Sequence, residues 1–127
     1  MKSLGFVEVS GVVAAVDALD IMCKSADVTL VSWERKLGGR LVTLIVTGNV
    51  SAVTAAVDAA KEQCIKKPCS TAIIANPHPE TIRLAELSAK RIEQQNSQTT
   101  APAAKKAPAK KGTTSQKTTK TTKKKAE

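Results

Sequence analysis

Nine of the 20 basic side chains fall in the last 33 residues, a stretch with no large aliphatic or aromatic side chain. Only Glu127 opposes those lysines, so residues 95–127 carry +8 of the chain's +9. Thr, Ala, Pro, Ser and Lys dominate there, and such a segment cannot offset its ordering entropy by burial. It is expected to be a disordered tail of low complexity, which leaves residues 1–94 to fold. That part holds 11 basic and 10 acidic side chains and is nearly neutral. The excess charge therefore describes an appendage and not a basic domain.

Several classes drop out early. No apolar run approaches the ~18–20 residues that span a bilayer. The opening Met1-Lys2-Ser3 leads into Leu4-Gly5-Phe6-Val7-Glu8-Val9, where Glu8 interrupts any signal-like core. Cys23, Cys64 and Cys69 are too few and too odd for a disulfide framework, which points to a reducing compartment. Phe6 and Trp33 are the only aromatics. The core must be aliphatic, and little is available for stacking on bases or sugars.

The hydropathy pattern alternates between two periods. Ser3 to Val9 reads as a strand, and Val12, Ala15, Val16, Leu19 and Cys23 then recur at helical spacing. A second strand covers Val28 to Glu34, the turn Leu37-Gly38-Gly39-Arg40 follows, and a third runs from Leu41 to Thr47. Asn49 is placed to cap a second helix whose face is Val53, Ala56, Val57, Ala60 and Cys64. A fourth strand covers Thr71 to Ala75, and Pro79 opens a third helix with Ile82, Ala85, Leu87, Ala89 and Ile92 on its apolar side. The order predicts an α/β (α+β) domain: a ferredoxin-like split βαβ sandwich with helices on one face of a mixed sheet.

No catalytic constellation emerges. His78 is the single histidine, set between two prolines, and reads as a surface or interface contact. Cys64, Cys69 and His78 lack the tight pairs and the four ligands of a zinc site, so no metal or cofactor is expected. Asp17, Asp20 and Asp58 read as solvated helix faces or inter-subunit partners. Gly38-Gly39 falls short of a phosphate-binding fingerprint. An enzyme is not expected.

Four segments carry a resemblance. Leu4-Gly5-Phe6-Val7-Glu8-Val9, the helix Gly11-Val12-Val13-Ala14-Ala15-Val16-Asp17-Ala18-Leu19-Asp20, the stretch Cys23-Lys24-Ser25-Ala26-Asp27-Val28, and Leu41-Val42-Thr43-Leu44-Ile45-Val46-Thr47-Gly48-Asn49-Val50 stand in order, and the resemblance extends over residues 3–79. Together they resemble the shell proteins of bacterial microcompartments, in the hexamer-forming class built on a single BMC domain. The resemblance implies a cyclic homohexamer, a flat tile with a hole on its sixfold axis. Such tiles join one another and other shell paralogues into a cytoplasmic shell around enzymes.

It also implies roles. Leu37, Gly38, Gly39 and Arg40 correspond to the pore loop, which here is one residue longer than the common pattern. Arg40 either points into the hole, making it anion-attracting, or begins the next strand. Lys24 falls on the family's edge lysine. Ala75-Asn76-Pro77-His78 matches a stretch that in many relatives is Pro-Arg-Pro-His, so Asn76 replaces an arginine that reaches the neighbouring tile. Asn76 and His78 are thus edge residues, with an amide in place of a five-donor fork.

The tail lysines, Lys105, Lys106, Lys110, Lys111, Lys117, Lys120, Lys123, Lys124 and Lys125, form a polyanion-binding candidate. Without arginine or aromatic residues they would read phosphates and not sequence. Encapsulated enzymes are a second possible tail partner, and a membrane is not expected. Two other readings remain open at this level. One is a small oligomeric ligand-sensing module on the same topology, and the other an oligomeric platform for tail-mediated nucleic-acid binding.

Overall fold

The computed structural model describes residues 2–99. Its elements are β1 (Ser3–Ser10), α1 (Val12–Ser25), β2 (Val28–Lys36), a 3-10 turn at Leu37–Gly39, β3 (Leu41–Gly48), α2 (Val50–Gln63), β4 (Ser70–Ile74) and α3 (Pro79–Thr99). The sheet order is β2-β3-β1-β4. The split βαβ expectation holds, but the sheet is not mixed. β1 and β2 run the same way, yet β3 sits between them, so every pairing is antiparallel.

Alternation along the strands sorts the core into two. Val7, Val9, Val42, Leu44 and Val46 face α1 and α2, which add Ala14, Ala15, Ala18, Met22, Val53, Ala56, Val57 and Ala60. The opposite sheet face carries Leu4 and Ile45, covered by Ala85 of α3 with Phe6 and Val31 alongside. The helices therefore do not all lie on one face. A terminal helix has a choice of faces that hydropathy does not encode, and here the remaining apolar strand positions take it.

Small side chains set the approach of α2. A β-carbon on Gly5 would stand 2.7 Å from Val53 Cγ1 and 3.0 Å from Val46 Cγ2, so only glycine admits the helix this close. In α1 the buried face is Ala14, Ala15, Ala18 and Met22, while Val16 and Cys23, expected inside, are exposed. The face of α2 is as expected, with Cys64 partly buried at its end.

α3 runs five residues past the boundary drawn at position 94. Residues 95–99, read as the start of the tail, instead continue the helix, because no breaker precedes Pro102 and helix propagation adds one bond per residue fixed. The rest of the disordered-tail reading, and all nine tail lysines, lie outside the described residues.

A buried polar relay fastens α3 to the sheet. Ser88 Oγ donates to Glu34 Oε1, and its oxygen lies 2.5 Å from Ser32 Oγ. With the Ser88 proton committed to the carboxylate, Ser32 is the donor to Ser88. Ser32 and Ser88 are almost fully buried, so each needs its partner. Ser88→Ala strands the Ser32 hydroxyl and is expected to cost about 1–3 kcal/mol. The Ser32→Ala/Ser88→Ala double variant should cost less than the two single changes summed, measured by urea unfolding. Additive losses would show that the two hydroxyls act separately.

Candidate functional site

The residues singled out from the sequence divide between the two ends of the sheet. β2 and β3 pair from Val28↔Gly48 at one end to Lys36↔Leu41 at the other. The turn Leu37–Arg40 closes the second end, where Gly11 N–H donates to Arg40 O at 2.9 Å and ties it to the start of α1. Lys24 closes α1 just before β2 begins at Val28, and Asn76 and His78 follow β4, whose Ile74 pairs with Leu4 beside Thr47. The three edge candidates thus share the first end. An eight-residue strand separates the groups by roughly 25 Å at about 3.3 Å per residue.

The turn is built from strained and permissive positions. Leu37 has φ 54°, Gly38 66° and Gly39 88°. A leucine in the left-handed region is unfavourable, and its side chain is 73% exposed with no core to hold it there. Next to Gly38 there is open space. β3 starts at Leu41, so Arg40 does not begin the strand but stands exposed in the turn.

Lys24 is exposed and pairs with Asp20 one turn back at 2.7 Å. The hydrogen bond to Asp20, then its charge, holds the ammonium above its ordinary value near 10.5. A raised value means the paired charge is kept through neutral pH and is lost only as pH rises past it. His78 serves its own chain locally. Its Nδ1 accepts from the Glu80 N–H at 3.2 Å, and its carbonyl accepts from Thr81 and Ile82. It caps α3, with Pro79 at the first helical position. Asn76 is exposed in the same link. Of the carboxylates read as solvated, Asp20 and Asp58 form exposed helical ion pairs, while Asp17 accepts from the Ile65 N–H at 3.0 Å.

Among the described residues, no group of three or more His, Cys, Asp or Glu side chains is placed to hold a metal. None of their helices is long and apolar enough to cross a membrane. The three cysteines are free.

Sequence reasoning missed the opening between the turn and α3. A cleft of about 530 Å³ is lined by Trp33, Glu34 and Arg35 of β2, by Gly38 and Gly39, and by Arg91, Ile92, Gln95 and Asn96 of α3. The Arg35 guanidinium lies 5.1 Å from the centre of the Trp33 ring. The polar breaks in the apolar stripe of α3, Ser88 and Arg91, were the available signal.

An antiparallel split βαβ sheet, with paired helices on one face and a third on the other, accounts for residues 3–99. A model of the BMC domain matches residues 3–77, and the chain belongs to the BMC domain family. The bacterial microcompartment shell protein PduA of Citrobacter freundii is 42% identical over 85 residues, which cover 65% of this chain and 90% of that protein. The carboxysome shell protein CcmK2 of Thermosynechococcus vestitus is 46% identical over 80 residues, 60% of this chain and 78% of that one. A solved microcompartment protein from Desulfitobacterium hafniense superposes with a TM-score of 0.60 at 28% identity. That match covers 69% of this chain and 48% of the solved one, so this chain spans about half the neighbour's length. PduA and CcmK2 are shell proteins, which supports a structural shell role here.

Proposed function

We propose that the protein is a shell tile of a bacterial microcompartment, assembling as a cyclic homohexamer in the bacterial cytoplasm. Leu37, Gly38, Gly39 and Arg40 surround a central pore for small polar metabolites, and Lys24, Asn76 and His78 meet neighbouring tiles or other shell paralogues. One observation carries this reading: the turn and the three edge candidates lie at opposite ends of the sheet. A subunit with its strands set radially would send one end to the axis and the other to the rim. Exposed Val13, Val16 and Leu37 give such a ring apolar surface to cover.

Residues 1–94 act in this reading as the shell domain, with α3 overrunning into the extension. The extension binds polyanion or cargo. The deciding experiment is the solution mass of the full chain by light scattering, with negative-stain images of the same sample. Six subunits and hexagonal particles are expected. A dimer or trimer that never forms rings would overturn the tile and favour a ligand-sensing module.

A further inference from the structure

We propose that α3 is a docking surface for α3 of a second copy of this chain, the two helices lying antiparallel over the open half of each other's sheet. A sheet of four strands is about 19 Å across at roughly 4.8 Å per strand, and a helix with its side chains covers about 10 Å. Two helices therefore cover one face, as α1 and α2 do on one side. The other side has only α3, fastened to β2 through Ser32 and Glu34. β1 and β4, at the far end of the strand order, are left short of one helix there. On that face Phe6 pairs with Ala72 and Leu4 with Ile74; Phe6 and Ile74 are only half-buried, and Ala72 is exposed.

The flank of α3 turned to this strip is apolar at its centre. Leu84 is 63% exposed and Leu87 39%, and with Phe6 and Ile45 they line an opening of about 270 Å³. Residues 100–127 include no large aliphatic side chain, so the chain's own extension offers nothing to fill it. A second α3 does. Glu80, Leu84, Leu87 and Arg91 stand four, three and four residues apart, one stripe of a helix. Turned end for end, the order acid, Leu, Leu, base becomes base, Leu, Leu, acid. In an antiparallel pair Leu84 then meets the partner's Leu87, and Glu80 meets the partner's Arg91. That match of a surface with its own reverse is what a twofold interface requires. Glu80 and Arg91 are 65% and 67% exposed, so their pairs with Arg83 and Glu34 hold them weakly. The pairing goes beyond the tile reading and does not depend on it. Where rings form, six such pairs join two rings face to face.

The test is the mass of the full chain by light scattering across a dilution series. It is expected to double with concentration, from six subunits to twelve for a ring and from one to two without one. Leu84→Glu buries a carboxylate against the partner's Leu87 and should weaken the doubling on the order of a hundredfold. Glu80→Arg opposes two guanidinium groups and should weaken it roughly tenfold, and adding Arg91→Glu should restore it. All three side chains are exposed, so each variant should keep its far-UV circular dichroism. If tiles grow into sheets, atomic force microscopy reads the same doubling as two layers of thickness in place of one. A mass of six that never doubles overturns the pairing while leaving the tile, and hands the open strip to a partner of other sequence. A monomer that doubles does the reverse. Doubling that survives Leu84→Glu, or that the double charge swap fails to restore, also overturns the pairing.

Discussion

Truncation after Thr99 is expected to weaken binding to duplex DNA by more than a hundredfold at 50 mM salt. The removed segment holds nine lysines against Glu127, whereas residues 1–99 are nearly neutral. Each phosphate neutralised releases condensed counterions, so affinity for the intact chain should fall steeply as salt rises. If about six lysines of one tail engage, the loss between 50 and 200 mM salt is on the order of a thousandfold. Sequence preference should be absent, because lysines contact phosphates and nothing in the segment reads base edges. Electrophoretic mobility shifts of the two proteins on unrelated duplexes make the comparison. Equal affinity with and without residues 100–127 would end the polyanion reading and leave cargo as the partner to seek.

Gly5→Val should be the most damaging single change in the domain. The added β-carbon alone meets Val53 Cγ1 at 2.7 Å, and two further methyls extend the conflict toward Val57. Branched neighbours in a packed core move little, so the cost is set near the upper end of overpacking, about 3 kcal/mol. For a domain of this size that lowers the melting temperature by roughly 12–24 °C. Gly5→Ala should lose less. Pairing Gly5→Ala with Val53→Ala should regain part of that loss, since the second change opens the occupied space. If the pair is no better than the sum of its parts, the contact with Val53 is not what excludes side chains from position 5.

The elements are legible because hydropathy reports periodicity, and the split βαβ order follows from their succession. Orientation is where the sequence misleads. The spacing in α1 predicts burial of Val16 and Cys23, yet the helix turns alanines and Met22 inward, because close helix packing rewards small side chains over apolar ones. α2 holds no such conflict: its valines and alanines share one stripe, and that stripe is buried. The placement of α3 depends on which strand positions are left uncovered, information spread over β1 and β3. Its length is underestimated from sequence because Gln95, Asn96 and Ser97 look like linker until Gln95 and Asn96 form the wall of a cleft.

The candidate site is legible in part. The glycine turn declares itself through backbone chemistry, and the edge candidates are named by a resemblance. Neither source holds the relay of Ser32, Ser88 and Glu34, whose members stand 54 and 56 positions apart. Nor do they hold the approach of Arg91 to Glu34. Side chains on one strand and a distant helix meet only once the helix has chosen its face.

β1 begins beside Gly48, whereas Gln95 and Asn96 leave the domain beside Gly38 and Gly39. The two directions of attachment thus point away from each other along the hairpin. A fluorescent or affinity label joined ahead of Ser3 would stand clear of one joined after Thr99. Paired dyes on the two would then read distance along the sheet, turning the molecule into its own ruler for how neighbouring copies are set.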